Sequence, residues 1–280
     1  MTASCDIGGA VCVWATSGME HLRTFRPAHT QCRCIAFSPD GKSIAAGYDD
    51  GVVRILAVGS AAGTTSDAMV ITDGAVTAVS FDNHGESVVC GASTGAIAVA
   101  HVGTGRLQAV SACPPTASPV VCLRRSGDGH GTWLATCANG LLRVFKHDLS
   151  TGSSTLILQD VLLHEAPVFA DFSPSEPGVI LCGGPGLGPG IYFYDITVKR
   201  IVKRFVDMDQ VASSLAVSPT GTLITIGTQE MLVKVVDYDE GTFQDFTGHS
   251  DAVSSMVFGP TGGVLLTAAD TDIVQWSVRI

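Results

Sequence analysis

The chain is short of charge. Only 15% of its 280 residues are Asp, Glu, Lys or Arg, with 16 basic residues against 26 acidic ones. A formal charge of −10 and a pI near 5.1 leave no general attraction to nucleic acid or to an anionic membrane. Neither is therefore expected as a partner, and an acidic protein could be met only through a local basic patch. Long apolar runs are missing too: none reaches the roughly 18 residues of a membrane-spanning helix. Residues 1–11 lack the basic head and apolar middle of a signal peptide. The nine cysteines are odd in number and have no paired C-x-x-C spacing, so no metal site is expected from them. Cys32 and Cys34, two apart on an apolar strand, would share a face as small buried hydrophobes. Reduced cytosolic thiols are the simplest expectation.

Apolar residues make up 46% of the chain, and 32 Gly and 12 Pro punctuate it. That supports a sizeable core broken by many turns. The stretch AFSPDGKSIAAGYDDGVVRIL, from Ala36 to Leu56, reads as strand, turn, strand, turn, strand. Its FSPDG element returns in altered form as FDNHG at Phe81, SGDG at Ser126, FSPSEPG at Phe172, VSPTG at Val217 and FGPTG at Phe258. In most of these, Pro presets one turn dihedral or Asn and Asp favour the turn, and Gly supplies positive φ, so each marks a reversal between strands. About twenty residues on, an alternating strand ends at Leu56. The equivalent strands end at Trp14, Ala100, Phe145, Tyr194, Val236 and Trp276, at spacings of 42, 44, 45, 49, 42 and 40 residues. A drifting period of this size, with three or four short strands per unit, predicts an all-β, seven-bladed β-propeller.

The residues Ala36–Ile55 and the C-terminal stretch GHSDAVSSMVFGPTGGVLLTAADTDIVQW resemble the WD-repeat (WD40) family. That resemblance implies blades of four antiparallel strands, A innermost to D at the rim, stapled by His, Ser or Thr, Asp and Trp. The last repeat offers His249, Thr267, Asp270 and Trp276 for this network. The second offers His29 and Asp50, with Ala46 and Leu56 at the other two places, and repeats three to six have largely lost the set. A buried His–Asp pair is favourable only when its remaining hydrogen bonds are made. Degenerate blades are therefore expected to use apolar packing instead, as Ala100, Phe145, Tyr194 and Val236 indicate.

The first repeat supplies only strands B, C and D, and the last only A, B and C. The expectation is 26 strands over residues 1–280 as a single propeller, with incomplete first and last blades. An incomplete inner strand leaves a sheet edge unpaired. Met1 is accordingly expected not to be the natural start of the array, the chain being the C-terminal part of a longer protein or the product of a shortened gene model.

Enzymatic chemistry is not indicated. Residues 183–190, GGPGLGPG, are too rich in proline and are followed by a strand, not the helix of a phosphate cradle, so a long B–C loop is expected there. Asp49 and Asp50 are adjacent and would point to opposite faces. His130 falls in a polar A–B turn. No catalytic residue, metal or cofactor is expected. One charge cluster remains, residues 198–205 (VKRIVKRF), placed on the outer strand of the fifth blade. Alternation would put Lys199 and Lys203 on one face with Ile201, and Arg200 and Arg204 on the other. These four form a candidate basic rim for an acidic partner, which positive charge on an edge strand would also explain without a partner. Arg23, Arg26, Arg124 and Arg125 could extend it.

The segment Ser218–Pro260, followed by VLLTAADTDIVQWSV, is similar to the C-terminal propeller of the large WD-repeat proteins of centriole and basal-body walls. Shared features are the VxDY strand, the GHSxxV corner and a chain that stops just after the last tryptophan strand. The resemblance implies a non-enzymatic scaffold in the cytoplasm and cytoskeleton, at a centriole, basal body or cilium. Its partners would be proteins, tubulin or microtubules among them. The alternative is a general scaffold propeller binding peptides at its top face, as in intraciliary transport or a ligase adaptor.

Overall fold

The computed structural model describes residues 1–59, 65–70, 74–110, 113–127, 131–162, 169–206 and 208–278. His130 lies outside them. Among the described residues, 26 strands form seven meandering sheets. The first sheet is β1 (Thr2–Cys5), β2 (Val11–Trp14) and β3 (His21–Phe25). The second holds β4 (Cys32–Phe37), β5 (Ser43–Tyr48), β6 (Val52–Ala57) and β7 (Thr65–Val70). The third holds β8 (Val76–Phe81), β9 (Ser87–Ala92), β10 (Ile97–His101) and β11 (Leu107–Ala109). The fourth holds β12 (Val120–Arg125), β13 (Thr132–Cys137), β14 (Leu141–His147) and β15 (Ser154–Val161). The fifth holds β16 (Phe169–Phe172), β17 (Val179–Gly184), β18 (Gly188–Asp195) and β19 (Arg200–Val206). The sixth holds β20 (Ala212–Val217), β21 (Leu223–Thr228), β22 (Leu232–Asp237) and β23 (Phe243–Thr247). The last is β24 (Ser255–Phe258), β25 (Val264–Ala268) and β26 (Ile273–Ser277). These are seven propeller blades, with the first and last three-stranded.

Turn chemistry explains why the strands stop where they do. In the FSPDG turn, Ser38 Oγ accepts the Ser43 N–H at 2.9 Å, and Gly41 sits at φ 70°. Ser218 caps the equivalent turn of the sixth blade, accepting the Leu223 N–H at 3.0 Å. Each such side chain satisfies a backbone donor that the reversal would otherwise strand.

The chain divides into two compact units, residues 1–137 with 143–159, and residues 138–142 with 160–280. In the first unit β4 lies beside β1 and β8, and β8 beside β12; in the second, β20 lies beside β16 and β24. Within each unit the cores sit between consecutive blades. Ala45, Val53 and Ile55 of the second blade pack with Val76, Phe81, Val88 and Cys90 of the third. Leu181, Ile191 and Phe193 of the fifth pack with Ala212, Leu215, Ile224 and Ile226 of the sixth.

Glycine sets the spacing between these blades. A Cβ on Gly47 would lie 2.6 Å from Val76, and one on Gly91 2.6 Å from Val120. On Gly227 it would lie 2.8 Å from Val253, and on Gly183 3.3 Å from Ala212. In each case a strand-B glycine faces the start of the next blade's inner strand or the turn leading into it.

Register corrects two expectations. The inner strands slip by one residue at Cys32/Cys34, Val76/Ala78, Val120/Cys122 and Ala212/Ser214. Because of the bulge at Arg33, Cys32 pairs with Tyr48 and Cys34 with its neighbour Gly47. The two thiols therefore point to opposite faces and enter different cores. The glycine-rich stretch is not a long loop. β17 continues to Gly184 and β18 begins at Gly188, the turn between them closed by a Leu187 N–H to Gly184 C=O bond of 3.0 Å.

Gly91→Ala should lower stability by about 1–3 kcal/mol, because the added methyl forces two blades apart. Gly59→Ala, with nothing within 4 Å of the new methyl, should stay within about 0.5 kcal/mol. Urea denaturation of both variants checks the contrast.

Candidate functional site

The last blade carries a connected polar network. His249, 8% exposed, reaches Thr267 Oγ1 through Nε2 at 2.6 Å. Trp276 Nε1 donates to the same oxygen at 2.7 Å. On its other side His249 Nδ1 meets the carboxylate of Asp272, which also accepts from Ser250 Oγ at 3.1 Å. The expected Asp270 is exposed, and the carboxylate in contact is Asp272. Counting back from Trp276 as from Leu56 to Asp50 gives Asp270. The hairpin here is one residue shorter, Thr267 and Trp276 being nine apart against ten for Ala46 and Leu56, and the acid that reaches His249 lies two residues further on. The His249 hydrogen bond, with help from Ser250, holds the Asp272 carboxyl below its ordinary range against the opposing effect of burial.

The second blade is arranged differently from the expected His29–Asp50 staple. His29 is exposed, and Asp50 turns to Arg54, Oδ2 accepting from Nη2 at 2.7 Å. The Arg54 guanidinium lies 4.6 Å from the centre of the Tyr48 ring. Asp49 pairs with Arg33. At the staple-tryptophan position Leu56, Ala100, Phe145, Tyr194 and Val236 are all buried, so apolar contact replaces the network in four of these blades, while Tyr194 of the fifth also donates its hydroxyl to Asp160 at 2.5 Å. The first blade keeps half of it, since Trp14 Nε1 donates to Ser4 Oγ at 3.0 Å. The sequence reading missed Ser4. It also missed the basic residue third along strand C: Arg54, the fully buried Arg143 and the buried Lys234. Arg143 Nη2 donates to Pro114 C=O at 2.8 Å, and Lys234 pairs with Asp245.

The basic rim lies on β19, the outer strand of the fifth blade, with Lys199, Arg200, Lys203 and Arg204 all exposed. Its faces differ from simple alternation. Lys199 is in the turn before the strand at φ 55°. Register pairs Arg200 with Asp195 and Lys203 with Phe193, then Ile201 with Tyr194 and Arg204 with Tyr192, because Val202 is bulged. Lys203 thus shares a face with Arg200, and Arg204 with Ile201. The Lys203 ammonium sits 4.3 Å from the Phe193 ring centre, and Arg204 Nη2 donates to Pro189 C=O at 2.7 Å and Met208 C=O at 3.1 Å. Lys203 and Arg204 therefore brace the blade, while Lys199 and Arg200 lead outward from its corner.

Among the described residues no group of three or more His, Cys, Asp or Glu is gathered as metal ligands. All nine cysteines are free thiols. Burial pushes Cys34 and Cys182 up to about 12, which keeps them protonated and unreactive.

Thr267→Val removes the hydroxyl that accepts from Trp276 and joins it to His249, and should cost about 1–3 kcal/mol in melting analysis. Asp270→Asn should stay within about 0.5 kcal/mol. Acid adds a second check. A carboxyl held low in the folded state stabilises fully above about pH 4 and loses that contribution as pH falls through the folded value. The parent should therefore lose stability more steeply between pH 4 and pH 2 than Asp272→Asn, as read by melting temperature against pH.

The comparisons accord with this geometry. The family model described as WDR90, 4th beta-propeller, matches residues 1–280. The human WD repeat-containing protein 90 is 30% identical over 99% of this chain, which spans 17% of that protein's length. Cilia- and flagella-associated protein 52 of Chlamydomonas reinhardtii is 28% identical over 92% of the chain, covering 40% of that protein. A chain in the crystal structure of the mitotic checkpoint complex superposes with a TM-score of 0.81 over 99% of this chain and 86% of that one. Its 20% identity speaks to the fold alone. The full-length match to one propeller model, on seven WD-type blades, places this chain in the WDR90 fourth β-propeller family.

Proposed function

We propose that residues 1–280 act as one seven-bladed, non-enzymatic interaction module of a microtubule-associated protein of the centriole, basal body or cilium. The observation that carries this is the match of the whole chain to a WDR90 propeller model. Further support comes from a relative named as cilia- and flagella-associated. Most of the polar side chains described above staple blades or cap turns, which is the economy of a rigid platform.

Within that reading the corner of the fifth blade is the contact for tubulin. Tubulin surfaces are acidic, and a chain of net charge −10 approaches them only through an oriented basic patch. Lys199 and Arg200 supply one beside the structurally engaged Lys203 and Arg204. Exposed Val198, Ile201 and Val202 add apolar area to it.

The test is microtubule co-sedimentation at two salt concentrations, with Lys199→Glu/Arg200→Glu as the variant because these substitutions spare the braces. Pelleting that weakens with salt and is lost in the variant is the expected result. Pelleting that survives the charge reversal would remove the site and keep the microtubule role. Absence of pelleting at low salt would overturn direct tubulin binding by this propeller.

A further inference from the structure

Two departures from the repeat meet at one place. Where inner strand passes into turn, the pattern is an apolar residue followed by a small one: Phe37–Ser38, Phe172–Ser173, Val217–Ser218 and Phe258–Gly259. The third blade has Phe81–Asp82 and the fourth Arg125–Ser126. One adds a negative charge at the cap position and the other a positive charge at the strand end.

Neither charge is required by the fold. The cap needs a single acceptor atom, which a serine hydroxyl supplies in the second and sixth blades. Asp82 does that work with Oδ1, accepting the N–H groups of Glu86 at 2.9 Å and Ser87 at 3.2 Å. Its other oxygen, Oδ2, is buried without a hydrogen-bond partner among the described residues, in a residue only 3% exposed. Arg125 Nη1 is likewise buried and unpartnered. Burial pulls the Arg125 guanidinium below its ordinary value while the nearby Asp82 charge opposes that shift. The two side chains lie within each other's field, yet neither of these atoms satisfies the other. Both line a cleft of about 340 Å³ at the ends of β4, β8 and β12, with Phe37, Pro39 and Phe81 as its apolar walls.

Two buried polar atoms left bare are costly, and their arrangement says what would satisfy them. A carboxylate or phosphate would gain Arg125 but meet Asp82; an ammonium would gain Asp82 but meet Arg125. A neutral group that both donates and accepts satisfies both. An amide does this, and the apolar walls of the open cleft take a side chain beside it. We propose that this cleft binds an extended peptide segment of a partner protein, with a backbone amide between Asp82 Oδ2 and Arg125 Nη1 and an apolar side chain against Phe37 and Phe81. The site is separate from the basic corner and independent of the microtubule reading.

The probe is the acetylated, amidated tripeptide Ala-Leu-Ala, followed through the backbone amide signals of Phe37, Phe81 and Asp82 in the 280-residue chain. Counter-probes are the same tripeptide with a free C-terminal carboxylate and with a free N-terminal amine. Asp82→Ser and Arg125→Phe give each site the residue type of the other blades, and Asp82→Asn keeps the side-chain shape. Saturable shifts with the neutral probe are expected, weaker with either charged probe and about tenfold weaker or more in all three variants. Melting temperatures of Asp82→Ser and Arg125→Phe should be no lower than that of the parent. Absent shifts, unchanged affinity in the variants, or preference for a charged probe would overturn the proposal. So would a fall in melting temperature in both repeat-restoring variants, since the pair would then be part of the fold, satisfied by water alone.

Discussion

The distance between neighbouring blades is set where a strand-B glycine faces the start of the next inner strand or the turn leading into it. Gly47 against Val76, Gly91 against Val120, Gly183 against Ala212 and Gly227 against Val253 are four instances of one contact. A methyl group at Gly47, Gly91 or Gly227 would press on the next blade's valine, while at Gly183 it would first meet Ile191 of its own blade, with Ala212 in tight contact beyond. Three of the four bulged inner strands, those beginning at Val76, Val120 and Ala212, place their first side chain against such a glycine before the register shifts and the next side chains return to the core.

With spacing fixed by glycine, each blade is free to choose how its middle is held. The last uses His249, Thr267, Asp272 and Trp276, a network in which every member has a partner. Blades two to six place Leu56, Ala100, Phe145, Tyr194 or Val236 in the tryptophan's position and bury it. Both solutions are stable for the same reason: a polar network is worth keeping only when complete, and a half-lost one is better replaced by packing. The first blade shows an intermediate, keeping the Trp14–Ser4 bond with no His or Asp attached.

Blade number, strand number and the incomplete first and last blades were legible because turns announce themselves. Pro, Asn or Asp followed by Gly recurs at a period that few other folds use. What escaped the sequence was anything that depends on slippage by one or two residues. Cys32 and Cys34 read as one face, Lys203 as the companion of Ile201, and Asp270 as the partner of His249. For the cysteines and for Lys203 one bulged residue reversed the outcome while the alternation on either side looked intact, whereas the acid that meets His249 lies two positions beyond the one expected. Ser4 escaped for a different reason: a lone serine on a short strand has no signature until a tryptophan is seen above it.

The same comparison between blades separates the residues the fold spends on itself from those left over. Arg143, Lys234 and Arg54 look like surface charge in the sequence but are bound to carbonyls, a carboxylate and a ring. Lys203 and Arg204 belong with them. Set against these, Asp82 and Arg125 are charges where the other blades have a small residue and an apolar one; each keeps a buried polar atom without a partner among the described residues, as Arg143 does at Nε, but only these two line the cleft. A repeat protein carries its own internal control. A residue that one blade has and its sisters manage without is where function, not folding, has the stronger claim.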